Sequence, residues 1–566
     1  MSQKVLIVGG VALGSKAACR FKRLEPDAKV TIIDQDRFIS YGGCGIPFYV
    51  SGDVSDVADL RKTSFHMLRD ETFFLNCKDI QVLTETRAEA IDRENKTLSV
   101  RRADGTVETL DYDKLVLGIG SRPRRLAIPG ADLAGVHTVA NLKDAEAIRA
   151  MIAGGKVSRA VIIGGGFIGL EMAEALADMW EIDTTVVEYC DQIMPGFVSP
   201  MFARMAQKQM EKHGIHFALG EQVQSIEGDD AVVAVKTDKG RIPADLVVMA
   251  VGVSPNVALA RDAGLTIGPS GAIVVDEHLR TSDPAIFSGG DCAEIRNLVT
   301  GQPGYFPLGS MANRQGRVIG TNLADGNADF KGAVGAFVVK IFEAALAGAG
   351  LSLPAARKAG FDAISVQVAQ LDRAHFYPDK AMMHLELVVE KETRRVLGIQ
   401  GFGEDGNGLV GRINAVSALL EDRPTIDRIS NLELAYSPPF SSAMDILNAL
   451  ANATENVLDG RFQPIDAESF ADKWAHGNGQ YLVLDCRAHQ DGEAFACKYP
   501  DRWINIPQDE LKKRITEIPL DKELILICNT GVRSYEAQLN LREMGIKSPV
   551  SLQGGMVTLN KYGVDL

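Results

Sequence analysis

The chain has 566 residues, of which 46% are hydrophobic, and a formal net charge of -14 at pH 7. This length exceeds what one core can bury and indicates about three or four domains of ~150 residues. The negative charge argues against a nucleic-acid-binding protein, which needs a basic face. Eight cysteines without a CxxC pair, and apolar runs much shorter than a membrane span, favour a cytoplasmic protein without a membrane segment.

Two segments of the chain share one design. The first runs from Lys4 to Asp34 and the second from Ala160 to Glu188, and each indicates a buried strand, a glycine turn, a helix and a second strand ending in a carboxylate. Such a turn lets the backbone approach a pyrophosphate at the helix N-terminus, while the carboxylate accepts from ribose hydroxyls. The pattern predicts two Rossmann-like nucleotide-binding domains. The assigned residues are Gly9, Val11 (where a middle glycine is usual), Gly14 and Asp34 in the first, and Gly164, Gly166, Gly169 and Glu188 in the second.

A single cysteine follows the first nucleotide motif. Cys44 has a glycine on each side and is followed closely by Pro47, a composition that lets the backbone run close to a flat ring. A thiolate there is a nucleophile. Because no second cysteine lies near it in sequence, its redox partner must be a bound thiol, a sulfenic oxygen or a persulfide.

The middle of the chain contains two similar strand-to-loop segments, 114–123 and 245–255, which indicate crossings between domains. A strand ending in a glycine pair and Asp291 comes after them. A mixed α/β pattern follows, and the last hundred residues contain strands of their own. The predicted domains are 1–112 with 245–322, 113–244, 323–452 and 463–566, with a linker at 453–462.

These motifs, in this order, resemble those of the FAD-dependent pyridine nucleotide–disulfide oxidoreductases over about residues 1–450. The single cysteine in a Ser-x-x-x-Cys-Gly-x-Pro frame resembles the branch that holds coenzyme A disulfide reductase, NADH peroxidase and NADH oxidase. The C-terminal stretch resembles a rhodanese domain, and the combination resembles the coenzyme A disulfide reductase–rhodanese fusions, which include NADH-dependent persulfide reductases. The resemblance implies an α/β protein with two Rossmann-like domains for FAD and NAD(H), an α+β dimerisation domain and a C-terminal rhodanese-like α/β domain.

The resemblance implies a place for each cofactor. The ADP half of FAD would lie against the first glycine turn and Asp34, and Asp291 would reach the ribityl or pyrophosphate part. Glu188 would accept from the free 2′-hydroxyl of NADH and repel the 2′-phosphate of NADPH, which favours NADH. Further residues assigned to cofactor binding are Ser40, Gly120 and Gly252, with Ala312 and Asn313 near the isoalloxazine ring.

The resemblance also implies coenzyme A as a bound substrate or carrier. Arg20, Lys22 and Arg23 follow the first glycine turn on one helix and would meet its phosphates, although a solvated helix face has the same pattern. Tyr377 and Tyr436 would come from the partner subunit of a homodimer and donate to the catalytic sulfur or to the leaving thiolate.

A second functional thiol is predicted near the C-terminus. A buried strand ends in Cys528, and a short loop with Arg533 leads into a helix. Backbone N–H groups and the helix N-terminus there favour an anionic sulfur. The loop resembles the sulfur-carrier loop of rhodaneses, which implies that Cys528 handles sulfane sulfur; the alternative is a cysteine that only ends a core strand.

The predicted reaction is NADH-dependent reduction of coenzyme A persulfide, or of polysulfide, through Cys44 with release of sulfide. Three alternatives remain: a coenzyme A disulfide reductase, an NADH peroxidase or oxidase, and a flavin-bearing sulfur sensor or carrier. Peroxidases and oxidases of the branch carry a histidine in the first glycine turn, where this chain has Ala12, and this weakens the second alternative because peroxide cleavage gains from a nearby acid–base group. No metal site is predicted.

Overall fold

The computed structural model describes residues 2–477, 479–519, 521–546 and 549–566. The chain forms two compact units, one made of residues 1–191 and 214–333 and the other of residues 192–213 and 334–566. Within the described residues, none of the helices has both the length and the apolar character needed to cross a membrane.

The first unit begins with a parallel sheet around the strand Lys4–Val8, which pairs with Lys29–Ile33 on one side and Lys114–Leu117 on the other. The apolar side chains of this sheet and of the helix Leu13–Leu24 form a common core. The full strand order is Ile286–Ser288, Lys114–Leu117, Lys4–Val8, Lys29–Ile33 and Gln81–Leu83. The domain is completed by the strands Thr86–Asp92, Thr97–Arg102, Val107–Asp111, Ile273–Val274, Ala293–Arg296 and Pro303–Gly304 and the helices Ile46–Ser51, Glu71–Lys78, Ala258–Asp262 and Gly309–Asn322.

The second domain of this unit repeats the architecture. The strand Arg159–Ile163 lies at its centre, and the helix Phe167–Ala177 follows directly. That helix packs against Ile46–Ser51 of the first domain. The strand order is His216–Leu219, Asp183–Glu188, Arg159–Ile163, Leu246–Met249 and Val136–Thr138. The helix Leu142–Ala153 and the antiparallel strands Val223–Gly228, Val232–Thr237 and Arg241–Pro243 complete it.

The boundaries predicted at residues 113 and 245 are wrong by one strand each. Lys114–Leu117 pairs inside the first sheet, and Leu246–Met249 pairs inside the second. The crossing between the domains lies after these strands, in a two-stranded antiparallel ribbon of Ser121–Pro123 and Val253–Pro255. Each apolar strand therefore completes its own sheet before the chain leaves the domain.

The other unit contains an antiparallel sheet in the order Phe337–Ile341, Ala344–Gly350, Val396–Gly403, Met382–Glu390 and Ala363–Leu371. Its apolar face packs on the helices Gly406–Leu420, Ile426–Ser430 and Ile446–Leu458, and the helix Pro200–Lys212 packs on the sheet as well. The short helix Leu353–Lys358 joins two of the strands. The segment 453–462, predicted as a linker, is helical as far as Leu458.

The C-terminal domain belongs to the same unit and is a parallel sheet covered by helices. Its core strand Glu523–Ile527 pairs with Tyr481–Asp485 and with Val550–Leu552. The strand order is Pro464–Ile465, Val550–Leu552, Glu523–Ile527, Tyr481–Asp485 and Trp503–Asn505, and the helices are Ala467–His476, His489–Lys498, Val532–Glu543 and Gly555–Tyr562.

This domain is docked on the antiparallel sheet. The backbone N–H of Gln367 donates to Oε1 of Gln553 at 2.7 Å, and Thr558 Oγ1 lies 3.3 Å from His384 Nδ1. Lys561 Nζ lies 3.0 Å from the Glu404 carboxylate. The interface therefore combines buried polar bonds with an ion pair at its border.

Candidate active site

The first glycine turn is shaped by close backbone contacts. Gly9 has φ +99°, and a Cβ there would overlap the Gly118 carbonyl oxygen; a Cβ on Gly14 would overlap the Gly9 carbonyl oxygen. Only glycine fits such positions. The Gly10 N–H donates to Asp34 Oδ2 at 2.7 Å, so the carboxylate at the strand end fixes the turn.

The second glycine turn has the same construction. Gly164 has φ +109°, and the Gly165 N–H donates to Glu188 Oε2 at 2.7 Å. The Cys190 N–H donates to the other oxygen of Glu188 at 2.9 Å. A carboxylate offers about four acceptor positions, so Glu188 fixes its turn and keeps capacity for a ribose hydroxyl. The ribose contact was predicted from the sequence, whereas the hydrogen bond from Glu188 to the turn was not.

Open space lies beside several of the assigned glycines. A Cβ added to Gly120, Gly166 or Gly252 would meet nothing within 4 Å, and Gly120 and Gly252 have φ of +64° and +90°. Asp291, at the edge of the first sheet, accepts from Ser121 Oγ at 3.2 Å, and burial raises the pKa of its carboxyl. These residues leave a cradle along the carboxyl ends of the strands.

The remaining cofactor candidates lie in the first domain. Ser40 is buried with φ +51°, and its N–H donates to the Gly10 carbonyl at 3.0 Å. Ala312 is buried, whereas the exposed Asn313 donates through Nδ2 to the Gly309 carbonyl of its own helix at 2.9 Å. The Asn313 side chain is therefore hydrogen-bonded to the backbone of its own helix.

Cys44 lies in the short turn Gly43–Gly45, which leads directly into the helix Ile46–Ser51. Its sulfur faces the N-terminus of the helix Gly309–Asn322, because a Cβ on Gly309 would come within 3.5 Å of Sγ. The pKa of the thiol is raised, mainly by burial, and the backbone N–H of Gly309 counters part of that rise. A helix N-terminus stabilises a nearby anion, so this position suits a thiolate.

Burial and two carboxyl groups oppose the stabilisation of the Cys44 thiolate. The Cys44 residue is exposed as a whole, but the crowding of its sulfur by protein atoms raises the pKa of the thiol, and the charges of Glu171 and Asp291 raise it further. Burial, with help from Glu174, raises the pKa of Glu171 itself to about 7. Glu171 is therefore an acid that exchanges its proton near neutral pH close to Cys44.

Glu171 was not predicted from the sequence as a site residue. It lies on the helix Phe167–Ala177, which follows the second glycine turn and packs against the helix behind Cys44. The available signal was a pair of carboxylates, Glu171 and Glu174, within an otherwise apolar helix. Glu171 is half-buried and Glu174 is buried, and carboxylates with such surroundings often mark functional sites.

The basic residues predicted to bind coenzyme A differ in availability. Lys22 is occupied: its Nζ lies 2.6 Å from both the Ala28 carbonyl and the Asp79 carboxylate. Arg20 Nε donates to Thr321 Oγ1 at 3.1 Å, which leaves its terminal nitrogens for other partners. Arg23 is exposed. Lys22 is therefore already paired with a local carboxylate, and its role toward a substrate phosphate, like that of Arg20 and Arg23, stays a prediction.

Tyr377 and Tyr436 lie on neighbouring segments of the second unit, joined by a bond from the Ala374 N–H to the Pro438 carbonyl at 3.2 Å. Tyr436 is 52% exposed. Three large apolar side chains around these segments are also exposed, namely Phe376, Phe440 and Met444. One chain thus leaves an apolar surface open where both tyrosines lie.

Cys528 lies at the end of its core strand and is 1% exposed. Its Sγ accepts from the Gly531 N–H at 3.1 Å and from Ser534 Oγ at 3.5 Å, and Ser551 Oγ donates to Ser534 Oγ at 3.0 Å. Gly531 has φ +101° and precedes the helix Val532–Glu543. The loop thus surrounds the Cys528 sulfur with hydrogen-bond donors and places it at the N-terminus of a helix.

A cavity of about 280 Å³ lies in the same domain. Its lining includes Cys486, His489, Glu510 and Arg533. His489 Nδ1 lies 3.0 Å from Asn505 Oδ1, and Nε2 lies 3.3 Å from Glu510. Arg533 is the charged group of this cavity nearest in sequence to Cys528, and its role with an anionic sulfur species stays a prediction.

Comparison with known families divides the chain in the same way. Residues 3–316 match the pyridine nucleotide-disulphide oxidoreductase model, residues 337–447 its dimerisation domain, and residues 467–561 the rhodanese-like domain. The chain therefore belongs to the pyridine nucleotide-disulphide oxidoreductase family. It is an oxidoreductase that uses FAD and NAD(P)H and carries a rhodanese-like domain. The predicted fold class and family resemblance are confirmed.

Three proteins show how far the similarity extends. The NAD-dependent persulfide reductase from A. fulgidus superimposes with a TM-score of 0.92 at 39% identity and covers 98% of this chain and 100% of its own. The reduced CoADR-RHD from Bacillus anthracis gives a TM-score of 0.89 at 29% identity, covering 99% and 98%. The NAD(P)H sulfur oxidoreductase (CoA-dependent) of Pyrococcus abyssi is 34% identical over 451 residues, which are 80% of this chain and 98% of that protein.

The first cradle fits FAD. The turn at Gly9 and Gly14 offers the close backbone approach that a pyrophosphate needs, and Asp34, already bonded to Gly10, retains acceptor capacity for a ribose hydroxyl. Asp291 and the open space at Gly120 continue the cradle toward Cys44. The second cradle, with Gly164, Gly166, Gly169 and Glu188, fits the pyridine nucleotide in the same way.

Proposed function

We propose that the protein is an NADH-dependent reductase of coenzyme A persulfide that releases sulfide. The observation that carries the proposal is the position of Cys44: one thiol at the N-terminus of the helix Gly309–Asn322, close to a carboxyl group that exchanges its proton near pH 7. The same chain holds Cys528 in a sulfur-binding loop. Relatives named as persulfide and sulfur reductases support this assignment.

The proposed chemistry starts at the Cys44 thiolate, which the Gly309 N–H stabilises. Its attack on coenzyme A persulfide breaks the S–S bond and leaves either hydrosulfide with a Cys44–coenzyme A mixed disulfide, or coenzyme A thiolate with a Cys44 persulfide. Bound FAD supplies the electron pair from NADH that reduces this adduct. Overall, NADH, one proton and coenzyme A persulfide give NAD⁺, coenzyme A and hydrogen sulfide. Glu171 holds a proton for the departing sulfur.

NADH is the proposed nicotinamide cofactor. Glu188 ends its strand next to the second cradle, and Tyr189 and Cys190 follow it. A carboxylate there repels the 2′-phosphate of NADPH, and no arginine directly follows Glu188 in the sequence to accommodate that phosphate.

We propose a homodimer in which the partner copy covers the apolar surface formed by Phe376, Phe440 and Met444. The dimerisation domain at residues 337–447 supports this assembly. Tyr436, 52% exposed in one chain, would then donate its hydroxyl to the reacting sulfur of the partner subunit, together with Tyr377. Arg20, Lys22 and Arg23 are the candidates for the coenzyme A phosphates. All eight cysteines are free thiols, which supports a cytoplasmic location.

The proposed role of Cys528 is to carry sulfane sulfur, either as a donor to coenzyme A or as an acceptor from it. Donors from Gly531 and Ser534 suit a persulfide anion, and Arg533 lines the adjacent cavity. Coenzyme A disulfide reduction, the main alternative, would require Cys44 and leave Cys528 without a part in turnover.

The deciding experiment follows NADH oxidation and sulfide release together under anaerobic conditions, with coenzyme A persulfide and coenzyme A disulfide as competing acceptors. We expect one sulfide per NADH and a preference for the persulfide. C44S should abolish both signals, whereas C528S should retain them with preformed coenzyme A persulfide. Rapid turnover of the disulfide without sulfide would assign the protein to disulfide reduction, and slow turnover with every acceptor would assign it to sensing or carriage.

A further inference from the structure

A second thiol lies beside Cys528 on the neighbouring strand. The strands Tyr481–Asp485 and Glu523–Ile527 are parallel, and their last paired residues are Asp485 and Ile527. Cys486 and Cys528 come next on each strand, and the Cys486 N–H donates to the Ile527 carbonyl at 2.8 Å. Adjacent strands lie ~4.8 Å apart, and a disulfide needs Cα atoms roughly 4.4–6.8 Å apart. The two cysteines therefore meet the first geometric condition for a disulfide.

Their side chains also share a side of the sheet. Cys486 belongs to the core cluster that contains Leu484 on its own strand and Leu526 on the other. Because side chains alternate along a strand, the Cys528 side chain emerges on the same side as that of Leu526. Both cysteines are 1% exposed, and the charge of Cys528 acts on the titration of Cys486. Both are free thiols.

The two thiols differ in their surroundings. Cys528 Sγ accepts hydrogen bonds from Gly531 and Ser534, which suit an anion. Cys486 has no comparable set of donors among the described residues; burial raises the pKa of its thiol, and the charges of Cys528 and Asp485 raise it further. Because a thiolate is the nucleophile, Cys486 does not compete with Cys528 for a sulfur donor. Cys486 reacts only after the Cys528 sulfur has been oxidised and has become an electrophile.

We propose that Cys486 is a resolving thiol that protects Cys528 from irreversible oxidation. A hydroperoxide oxidises the Cys528 thiolate to a sulfenic acid and is itself reduced to water or an alcohol. Cys486 Sγ then attacks the Cys528 sulfur, the S–O bond breaks, and the Cys486 proton leaves with the hydroxyl as water. Two molecules of a low-molecular-weight thiol reopen the disulfide and are oxidised to their own disulfide.

The cavity next to Cys486 offers a path for the small thiol that reduces the Cys486–Cys528 disulfide. Cys486 is among the residues that line that space, together with Arg533, and we expect an anionic thiol to reach the closed pair from there, beside a positive charge. Without the resolving thiol, a sulfenic acid that meets more oxidant proceeds to sulfinic acid, which thiols do not reduce. The pair thus converts a permanent loss of the sulfur carrier into a reversible one.

The test uses the full-length FAD-loaded protein in a C44S background, so that oxidation of Cys44 does not interfere. The protein is treated with hydrogen peroxide, quenched by alkylation, digested and analysed by mass spectrometry. We expect a cross-linked peptide pair containing Cys486 and Cys528, which dithiothreitol removes. When C486V is combined with C44S, Cys528 should be recovered as sulfinic acid and the cross-linked pair should be missing. Added C497S, which removes an exposed cysteine of the same domain, should behave like the background protein.

Two results would overturn the proposal. One is the absence of the cross-linked pair from oxidised protein that still carries Cys486, a result that does not depend on how well C486V folds. The other is equal sulfinic acid formation at Cys528 with and without Cys486, in variants that have matching thermal unfolding. Neither result bears on persulfide reduction at Cys44, which the sulfide assay tests by itself.

Discussion

Gln367 and Gln553 join the antiparallel sheet to the rhodanese-like domain close to Cys528. The N–H of Gln367 donates to Oε1 of Gln553 at 2.7 Å, and three residues further on the Met556 N–H donates to the Cys528 carbonyl at 2.9 Å. Gln553 is 6% exposed. The position of Cys528 is therefore linked by two hydrogen bonds to a strand of another domain.

Replacing Gln553 by alanine should loosen this link. The Gln367 N–H would remain buried without its acceptor, which costs on the order of 1–3 kcal/mol. We expect faster amide exchange in the segment 528–534 and slower loading of Cys528 with sulfane sulfur, measured by hydrogen exchange and by persulfide labelling. Q480A, at an exposed site of the same domain, is the control. Unchanged exchange in Q553A would show that the bond does not position the loop.

Glu386 should make the second unit less stable as the pH rises. It is 1% exposed, and burial raises its pKa to about 7 from an ordinary value of 4.5. Because the folded pKa exceeds the unfolded one, Glu386 costs nothing below the unfolded pKa, and stability falls as the pH rises toward about 7. The full loss is on the order of 3 kcal/mol. His384 on the same strand stays neutral over this range, since burial lowers its pKa to about 3.

The check is urea unfolding at several pH values, followed by tryptophan fluorescence. E386Q should remove most of this slope and exceed the wild type in stability above pH ~7. The exposed residue Glu392 provides the control E392Q, which should follow the wild-type curve. Parallel curves for E386Q and the wild type would contradict the prediction.

Glu171 should shape the pH dependence of turnover. Its carboxyl titrates near pH 7 and its charge raises the pKa of the Cys44 thiol. In E171Q the inflection of kcat near pH 7 should disappear and kcat should fall, by up to about a hundredfold if Glu171 donates the proton. Alkylation of Cys44 by iodoacetamide should become faster at neutral pH, because removal of the negative charge favours the thiolate. D178N, at an exposed site following the same helix, should change neither property, and retention of the inflection in E171Q would assign it to another group.

Glu188 should control both the geometry of the second glycine turn and the choice of cofactor. E188A removes the acceptor for the Gly165 and Cys190 N–H groups and the negative charge next to the ribose. We expect the KM for NADH to rise about tenfold, as for the loss of one hydrogen bond to a charged group, and the preference for NADH over NADPH to shrink. Steady-state kinetics with both nucleotides measure this, with E181Q as the control. An undiminished preference in E188A would mean that other residues select the cofactor.

The local motifs of the site were predictable because their physics is local. Gly9, Gly14 and Asp34 lie within one strand–turn–helix–strand unit, and the spacing alone implies that the glycines crowd other backbone atoms. The loop after Cys528 is similar: a strand end, a glycine with φ +101° and a helix N-terminus follow one another within a few residues.

Contacts between distant segments were not predictable from the sequence. Lys22 is a residue type that binds phosphate, and its ion pair with Asp79 depends on the fold and could not be read from the sequence. The bond between Gln367 and Gln553 spans 186 positions. The boundaries at 113 and 245 were misplaced because an apolar strand that completes a sheet and one that leaves it have the same local pattern.

The strand Met382–Glu390 is buried along both faces, with apolar side chains toward the helices and His384 and Glu386 on the opposite side. An antiparallel sheet usually keeps one face in water, and here Thr558 of the C-terminal domain contacts that second face at His384. The C-terminal domain therefore also covers one face of the antiparallel sheet. A chain cut at residue 460 would leave the docking sites of Gln553 and Thr558 facing solvent. Gain or loss of this domain in evolution would therefore also require substitutions on the face of the sheet that the domain covers.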